Sequence, residues 1–222
     1  MSPRRHPPLT REQVFTTALE IVDAEGVEAL SMRRLARALQ RDPMAPYQQD
    51  LNRATLLDGL TEVVLGQLRV EPSGEPWPDR LRAIARQFRE LALAHPNVAP
   101  LLATRPLTTP LALRPRGTLR PLENILDLLI GAGFTPSGAL RTYRALFGFL
   151  HGHLLNELQE TVDNPEETDD LLRLGLYRLP VREFPRIRAL ASALASYDGA
   201  AEFEEGLDIL LSGIEARYAP RP

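Results

Sequence analysis

The sequence predicts an all-α fold. Apolar residues recur at about 3.6-residue spacing along the chain, and no stretch shows the alternation that marks a β-strand. Helix-capping residues precede several of these stripes, and glycine or proline follows them. With 222 residues, of which 44% are hydrophobic and 25% charged, the chain is long enough for one large or two smaller domains.

The N-terminal part predicts three short helices and the start of a fourth. A capping box precedes the first helix, a glycine at position 26 ends it, and a proline follows the cap of the third. The fourth helix carries a leucine- and valine-rich stripe and runs to about residue 69. Short helices joined by tight turns predict a helix-turn-helix unit. The predicted N-caps are Thr10 (with Gln13 as its partner), Ser31, Asp42 and Asn52.

The remaining chain predicts further helices separated by proline-rich or acidic segments. A turn-rich linker occupies 70–78, and a proline-rich loop occupies 105–117. We interpret the acidic segment 162–171 as a solvated surface loop. Thr135-Pro136 begins a long helix that reaches about Thr161. The other predicted helices cover 79–95, 97–104, 118–131, 182–196 and 200–218.

Composition excludes several classes of function. The chain contains no cysteine, which excludes disulfides, thiolate catalysis and cysteine-ligated zinc. The N-terminus has arginines without a following apolar segment, and no apolar run is long enough to span a membrane. We therefore expect a cytoplasmic protein without a membrane partner. The net charge is −3, so any nucleic-acid site has to be local, and only the N-terminal 57 residues carry a net positive charge.

Several segments together resemble a known family. LTREQVFTTALEIVDAEGVEALSMRRLARAL, DPMAPY and NRATLLDGL are similar to the DNA-binding domain of the TetR family of bacterial repressors. LLATRP, PLEN, GF and GLDILLSGIE resemble the tetracycline-repressor branch, so the resemblance covers nearly the whole chain. It implies a helix-turn-helix DNA-binding domain over 9–57 and an effector-binding and dimerisation domain over 79–222.

The resemblance also assigns DNA contacts on a palindromic operator. Ser31 and Arg33 match the family's phosphate contacts at the start of the second helix, where a helix N-terminus and a guanidinium favour an anion. In the third helix, glutamine can bond an adenine edge, and methionine or alanine can touch a thymine methyl group. The full set that the resemblance implies is Ser31, Arg33, Pro43, Met44, Ala45, Tyr47, Gln48, Gln49 and Arg53.

Three positions depart from the family pattern. Gln40 stands where the turn normally has glycine, Pro46 replaces a leucine, and Asp50 replaces an apolar residue. Proline cannot donate a helical hydrogen bond and disfavours helical geometry at the preceding residue. These changes predict a distorted third helix. They leave open a second hypothesis, in which the chain is a small-molecule binding protein or an enzyme that uses its cavity alone.

The C-terminal part is expected to enclose a ligand cavity. In tetracycline-responsive members of the family a histidine, a glutamine and a glutamate bind the drug and its magnesium; Leu101, Ile125 and Asn156 occupy those positions here. The resemblance therefore implies a more apolar pocket and a hydrophobic or aromatic effector. The candidate lining residues are His95, Leu101, Arg105, Asn124, Ile125, Leu128, Tyr143, Phe147, His151 and Asn156.

We expect neither a metal site nor a cofactor. His151 and His153 are two positions apart on a helix, so they point in different directions and make a poor metal pair. We expect one of them to face the pocket and the other the surface or a partner. No nucleophile–base, P-loop or zinc-protease motif is present. If the chain were an enzyme, His95, His151, Arg105 and Tyr143 would be the groups to polarise or protonate a substrate.

Two apolar stripes are candidates for subunit contact. They lie on the long helix that begins at Pro136 and on the last helix, and such stripes either pack internally or pair with a second copy. The resemblance implies a four-helix homodimer interface. The sequence as a whole thus predicts a homodimeric regulator, most simply a repressor, with an activator or co-regulator as a third hypothesis. The stripes comprise Leu140, Tyr143, Phe147, Leu150, Leu154 and Leu158, and Phe203, Leu207, Leu210, Leu211 and Ile214.

Overall fold

The computed structural model describes residues 9–41, 51–70, 74–108, 110–160 and 165–218. All regular structure in these ranges is helical, which confirms the predicted all-α class. Within these ranges, short 3₁₀ turns at Val27–Ala29 and Leu111–Leu113 connect α-helices. The α-helices are α1 (Arg11–Glu25), α2 (Met32–Ala38), α3 (Arg53–Leu65), α4 (Trp77–Ala94), α5 (Ala99–Thr108), α6 (Arg116–Gly131), α7 (Pro136–Glu160), α8 (Pro165–Arg178), α9 (Pro185–Ala189), α10 (Ala191–Leu194) and α11 (Gly199–Tyr218).

The predicted helix starts in the N-terminal part are confirmed wherever the structure describes them. Thr10 and Gln13 form a reciprocal capping box, with Thr10 Oγ1 accepting from the Gln13 amide at 3.2 Å. Ser31 Oγ caps α2 by accepting from the Arg34 amide at 3.1 Å. Asn52 caps α3 in a second box with Thr55. The predicted third helix, with its start at Asp42, lies outside the described residues.

The acidic segment after α7 differs from the prediction. Residues 165–171 of the predicted loop (162–171) form the first half of a helix, α8, and 162–164 lie outside the described residues. Pro165 suits the first helical position, and the glutamates that follow it favour the positive end of the helix dipole. The same residues form a run of acidic side chains, which is typical of a solvated surface loop. The sequence therefore did not indicate a helix here.

Two other boundaries also differ. α5 runs on to Thr108, into the segment predicted as a proline-rich loop. The predicted helix over 182–196 is two shorter pieces, α9 and α10, that meet at Leu190. Pro185 fixes the start of α9 because it cannot donate a hydrogen bond to an earlier turn.

The helix α3 occupies a central place in the fold. It packs on α1 within the N-terminal unit (residues 9–68) and on α5 and α6 in the rest of the chain. The helix α7 packs against α4, α5, α6 and α11. One continuous apolar core joins both parts, from Val14 and Phe15 in α1 to Leu207 and Ile214 in α11. The helix α3 therefore contacts both parts of the chain.

The apolar stripes predicted for subunit contact point mainly into this core. Leu150 and Leu154 on α7 and Leu207 on α11 are almost completely buried within the single chain. Internal packing, the alternative that the sequence left open, therefore accounts for much of both stripes. Within the described ranges, no helix is long and apolar enough to cross a membrane.

Candidate effector cavity and DNA-binding unit

The start of α2 presents the first two predicted DNA contacts. Ser31 is exposed, and its side chain caps the helix through the Arg34 amide. Arg33, two residues on, is also exposed. Its neighbour Arg34 has a different role, since its guanidinium pairs with the Glu25 carboxylate at the end of α1 and fastens the two helices together. That pair raises the pKa of Arg34 and lowers that of Glu25.

Arg53, at the first position of α3, holds the turn that precedes α2. Its Nη1 donates to the Leu30 carbonyl at 2.7 Å, and its Nη2 lies 3.2 Å from Glu28 Oε2. The side chain remains 48% exposed, so a guanidinium edge stays open to solvent. The other implied DNA contacts, Pro43, Met44, Ala45, Tyr47, Gln48 and Gln49, lie outside the described residues, as do Pro46 and Asp50.

A cavity of about 370 Å³ lies between α3, α5, the start of α6 and α7. This size is within the range of small-molecule sites in proteins. One wall is aromatic, because Tyr143, Phe147 and His151 recur every four residues on α7 and so share a face. The Tyr143 and Phe147 rings are 4.6 Å apart between centroids, and Phe147 and His151 are 5.8 Å apart. This aromatic wall can contact a flat, apolar ligand.

The opposite wall contains an ion pair. Arg105 on α5 donates from Nε and Nη2 to Asp58 Oδ1 on α3, at 2.9 and 2.5 Å. Nη2 also lies 3.3 Å from the Ala54 carbonyl. Both charged side chains are mostly buried, with 19% and 22% exposed. This wall of the cavity is thus joined directly to α3, which packs on α1 in the N-terminal unit.

The titratable groups of the aromatic wall are neutral near pH 7. Burial raises the pKa of Tyr143, and the positive charge of Arg114 partly opposes that shift. Burial lowers the pKa of His151 from its ordinary value of 6.5. A neutral imidazole and a protonated phenol can each donate and accept hydrogen bonds. The wall therefore offers polar contacts to a ligand without adding charge.

The structure brings together four of the residues proposed for ligand binding: Arg105, Tyr143, Phe147 and His151 all line this cavity. Leu101 is half-buried, and its neighbour Leu102 lines the cavity in its place. On α6, Ile125 and Leu128 are buried in the apolar core of the protein. Asn156 is exposed on α7, and Asn124 faces a separate surface depression beside Leu111.

Two other described histidines, His95 and His153, have structural positions away from this cavity. His95 ends α4, and its Nδ1 lies 2.8 Å from Asp23 Oδ2 on α1, with Asn97 holding the Val22 carbonyl beside it. His153 lies between α7 and α11, where its Nε2 is 3.1 Å from the Gly199 carbonyl. Of the predicted pair, His151 faces the cavity, while His153 faces α11 instead of the surface. Within the described ranges, no group of three metal-binding side chains occurs.

Sequence reasoning missed the contributions of α3 and of the segment before α6. Neither the α3 side chains nor those of the proline-rich segment carry a local signal for ligand contact. Helical periodicity could have predicted Arg144 and Gly148 on α7. Each lies three residues before an aromatic lining residue and so shares its face of the helix. The missed lining residues are Asp58, Thr61, Leu65, Leu102, Arg114, Pro115, Thr118, Arg144 and Gly148.

Comparison with known proteins gives this architecture a family. Residues 71–218 match the family described as "Tetracyclin repressor-like, C-terminal domain". The tetracycline repressor protein class C of Escherichia coli is 31% identical over 214 residues, covering 93% of this chain and 91% of that protein. The chain belongs to the TetR family of transcriptional regulators. The resemblance noted from the sequence is thereby confirmed.

Two further TetR-family relatives extend the comparison. An HTH-type transcriptional regulator of Saccharopolyspora erythraea is 29% identical over 214 residues, covering 96% of this chain and 87% of that one. The crystal structure of the TetR family protein ActR from Streptomyces coelicolor, in complex with actinorhodin, superposes with a TM-score of 0.80. It shares 31% identity and covers 96% of this chain and 98% of its own.

Proposed function

We propose that this TetR-family chain is a homodimeric repressor that leaves a palindromic operator when a small hydrophobic or aromatic effector binds. The observation that carries the proposal is the double role of α3, which packs on α1 in the N-terminal unit and lines the cavity through Asp58, Thr61 and Leu65. The structural relative in complex with actinorhodin supports a small-molecule effector, and the wall of Tyr143, Phe147 and His151 supports an aromatic one. The DNA contacts Ser31, Arg33 and Arg53 lie on the same unit as α3.

The Asp58–Arg105 ion pair is the first link between effector and operator. A ligand that enters beside the Arg105 guanidinium changes the surroundings of the pair and thereby the position of α3. An effector shifts such an equilibrium only if it binds the two conformers with different affinity. The proposal therefore requires two conformers that differ in the position of α3 relative to α5. The conformer released from the operator has to bind the effector more tightly than the operator-bound conformer does.

A second link lies one helical turn further along α3. Glu62 Oε1 accepts from the Gly117 amide at the start of α6, at 3.0 Å. Glu62 also faces Arg11 of α1, with 3.9 Å between Oε2 and the guanidinium. Asp58 and Glu62 therefore attach the same helix to the two segments that frame the cavity, α5 and the start of α6.

The homodimer uses faces of α7 and α11 that the single chain leaves open. On α7, Gly152 is exposed, with open space where a side chain would stand. On α11, Ile209 is 70% exposed and Gly213 likewise has open space above it. A second copy packed against these faces places two N-terminal units on one side, as half-sites about 34 Å apart require.

Operator binding tests the proposal directly. Gel-shift titrations use the full chain and the DNA that flanks its own gene, at low and high salt. We expect nanomolar-range binding that weakens steeply with salt, since phosphate contacts release counterions. Arg33→Ala should weaken this binding, while Arg80→Ala, an arginine on α4 outside the N-terminal unit, serves as the matched control. An intact dimer with no DNA binding at low salt would contradict the repressor assignment.

The second hypothesis, a binding protein or enzyme without operator function, is motivated by Pro46, Asp50 and Gln40. The double substitution Pro46→Leu with Asp50→Val separates the two. If the third helix has lost its function, the double variant should bind operator far more tightly than the original chain. Comparable operator binding by the two proteins would show that the third helix of the native sequence still binds DNA. That result would contradict the second hypothesis.

A further inference from the structure

The cavity lining has an excess of positive charge. Three arginines, Arg105, Arg114 and Arg144, line it together with a single acid, Asp58. Asp58 is engaged by Arg105 through two hydrogen bonds from the guanidinium. The remaining two arginines lie on the α6 and α7 sides of the cavity. Among the charged side chains that line this space, arginines therefore outnumber acids three to one.

The other polar groups of the cavity do not offset this charge. Tyr143 keeps its phenolic proton near pH 7, because burial raises its pKa. His151 is neutral there, because burial lowers its pKa. Arg114 carries a positive charge that partly opposes the effect of burial on the pKa of Tyr143, and both residues line the cavity. The arginine charge is thus adjacent to the aromatic wall.

We propose that the effector is an aromatic organic anion, with flat rings against Tyr143 and Phe147 and a carboxylate that faces Arg114 and Arg144. The inference rests on the proposed effector site and adds the charge of its ligand. Guanidinium groups recognise carboxylates through paired, charge-assisted hydrogen bonds. A cationic aromatic ligand would meet the same arginines with like charge, so this cavity selects against it.

Arg144 and Arg114 make different contributions to this recognition. Arg144 is exposed on α7 and adjoins Tyr143 in sequence, so it is placed at the rim. Arg114 is half-buried and ends the 3₁₀ turn before α6. An anion that crosses the rim past Arg144 then meets Arg114 in a less hydrated setting, where a charge interaction is stronger.

The test compares two ligands that differ only in charge. Anthracene-2-carboxylate and anthracene-2-carboxamide share one fluorescent ring system, and each is titrated against the full-length protein. We expect the carboxylate to bind at least tenfold more tightly than the amide, and this preference to shrink with added salt. Arg114→Gln should weaken carboxylate binding about tenfold, the effect of losing one charge-assisted contact. Arg144→Gln should weaken it about two- to fivefold, because an exposed charge pair contributes less. Both variants should change amide binding less than about twofold.

Two further variants complete the design. Arg120→Gln removes an exposed arginine of α6 that faces a different depression, and it should change neither affinity. Leu102→Trp fills the cavity and should abolish binding of both compounds. Because Arg144 is exposed, its variant reports on ligand charge even if a substitution at Arg114 disturbs the fold.

The outcomes separate the inference from the proposed function. Equal affinity for the two compounds, or an equal loss of both in the arginine variants, overturns the anionic effector and leaves the effector cavity standing. Carboxylate binding that survives Leu102→Trp places the anion elsewhere and also overturns the inference. Failure of both compounds to bind the unaltered protein contradicts the anionic ligand and the effector cavity together.

Discussion

At the scale of single residues, Gln40 shows what a departure from the family pattern costs. Its φ is +53°, in the left-handed region, and no other described residue apart from glycine has a positive φ. The Arg41 amide reaches the Ala36 carbonyl at 2.9 Å, and the Gln40 amide reaches the Arg37 carbonyl at 3.1 Å. This pair of bonds closes α2 with a Schellman motif, whose left-handed position favours glycine.

We expect Gln40→Gly to stabilise the protein by about 0.5–1 kcal/mol, because glycine adopts this φ without the clash of a Cβ. Chemical denaturation checks the change in the free energy of unfolding. Gln67→Gly is the matched control, since Gln67 has no positive φ and glycine there only adds freedom to the unfolded chain. A Gln40→Gly variant no more stable than the original would contradict the strain at this turn.

The buried imidazole of His151 makes stability depend on pH. Burial lowers its pKa below 6.5 in the folded protein, so below that pH the unfolded chain binds a proton that the folded chain does not. Stability contributed by the neutral ring is therefore present above the unfolded pKa and is lost as the pH falls toward the folded pKa. We expect His151→Gln to flatten the loss of stability between about pH 7 and pH 5, measured by urea unfolding. An unchanged slope would contradict the burial effect.

At the scale of elements, α3 depends on close approaches that only glycine permits. A Cβ added at Gly59 would lie 2.3 Å from the Phe15 ring of α1, and one at Gly117 would lie 2.5 Å from the Glu62 side chain. The first contact sets how closely α3 packs within the N-terminal unit. The second sets how α6 starts beside α3. Both contacts hold the helix that connects the two parts of the chain.

Gly59→Ala should destabilise the protein by about 1–3 kcal/mol, the usual cost of forcing extra volume into a packed core. Thermal unfolding measures this loss. Gly131→Ala, at the end of α6, is the control, because a Cβ there meets nothing within 4 Å. Equal melting temperatures for the Gly59 variant and the original would show that Phe15 moves aside without cost.

At the scale of the whole molecule, the Asp58–Arg105 ion pair is placed to couple the two ends of the proposed switch. It joins Arg105, in the cavity wall on α5, to Asp58 on α3, and α3 packs in the same apolar core as α1. A second contact, from His95 and Asn97 to Asp23 and Val22, joins the α4–α5 turn to the end of α1. The N-terminal unit is therefore held to the rest of the chain at both α1 and α3.

Asp58→Asn keeps the shape of the side chain but removes the charge that Arg105 binds. We expect the effector still to bind this variant. The effector should, however, weaken the operator affinity of the variant by a factor about tenfold smaller than in the original chain, a change within the usual range of coupling free energies. Operator titrations with and without effector measure the factor. Glu204→Gln, which removes an exposed ion pair with Arg86, is the control and should leave it unchanged. Undiminished release in Asp58→Asn would exclude this ion pair as the link.

The sequence by itself determined the helical class, the caps at Thr10, Ser31 and Asn52, and the family. These features depend on local spacing and on residues close together in the chain, and such patterns are visible without knowledge of packing. The tertiary structure alone decided that Asp58, Arg105, Arg114 and Arg144 meet around one cavity, and that His95 instead contacts α1. Those contacts join residues far apart in the chain, and their partners depend on how the helices pack against one another.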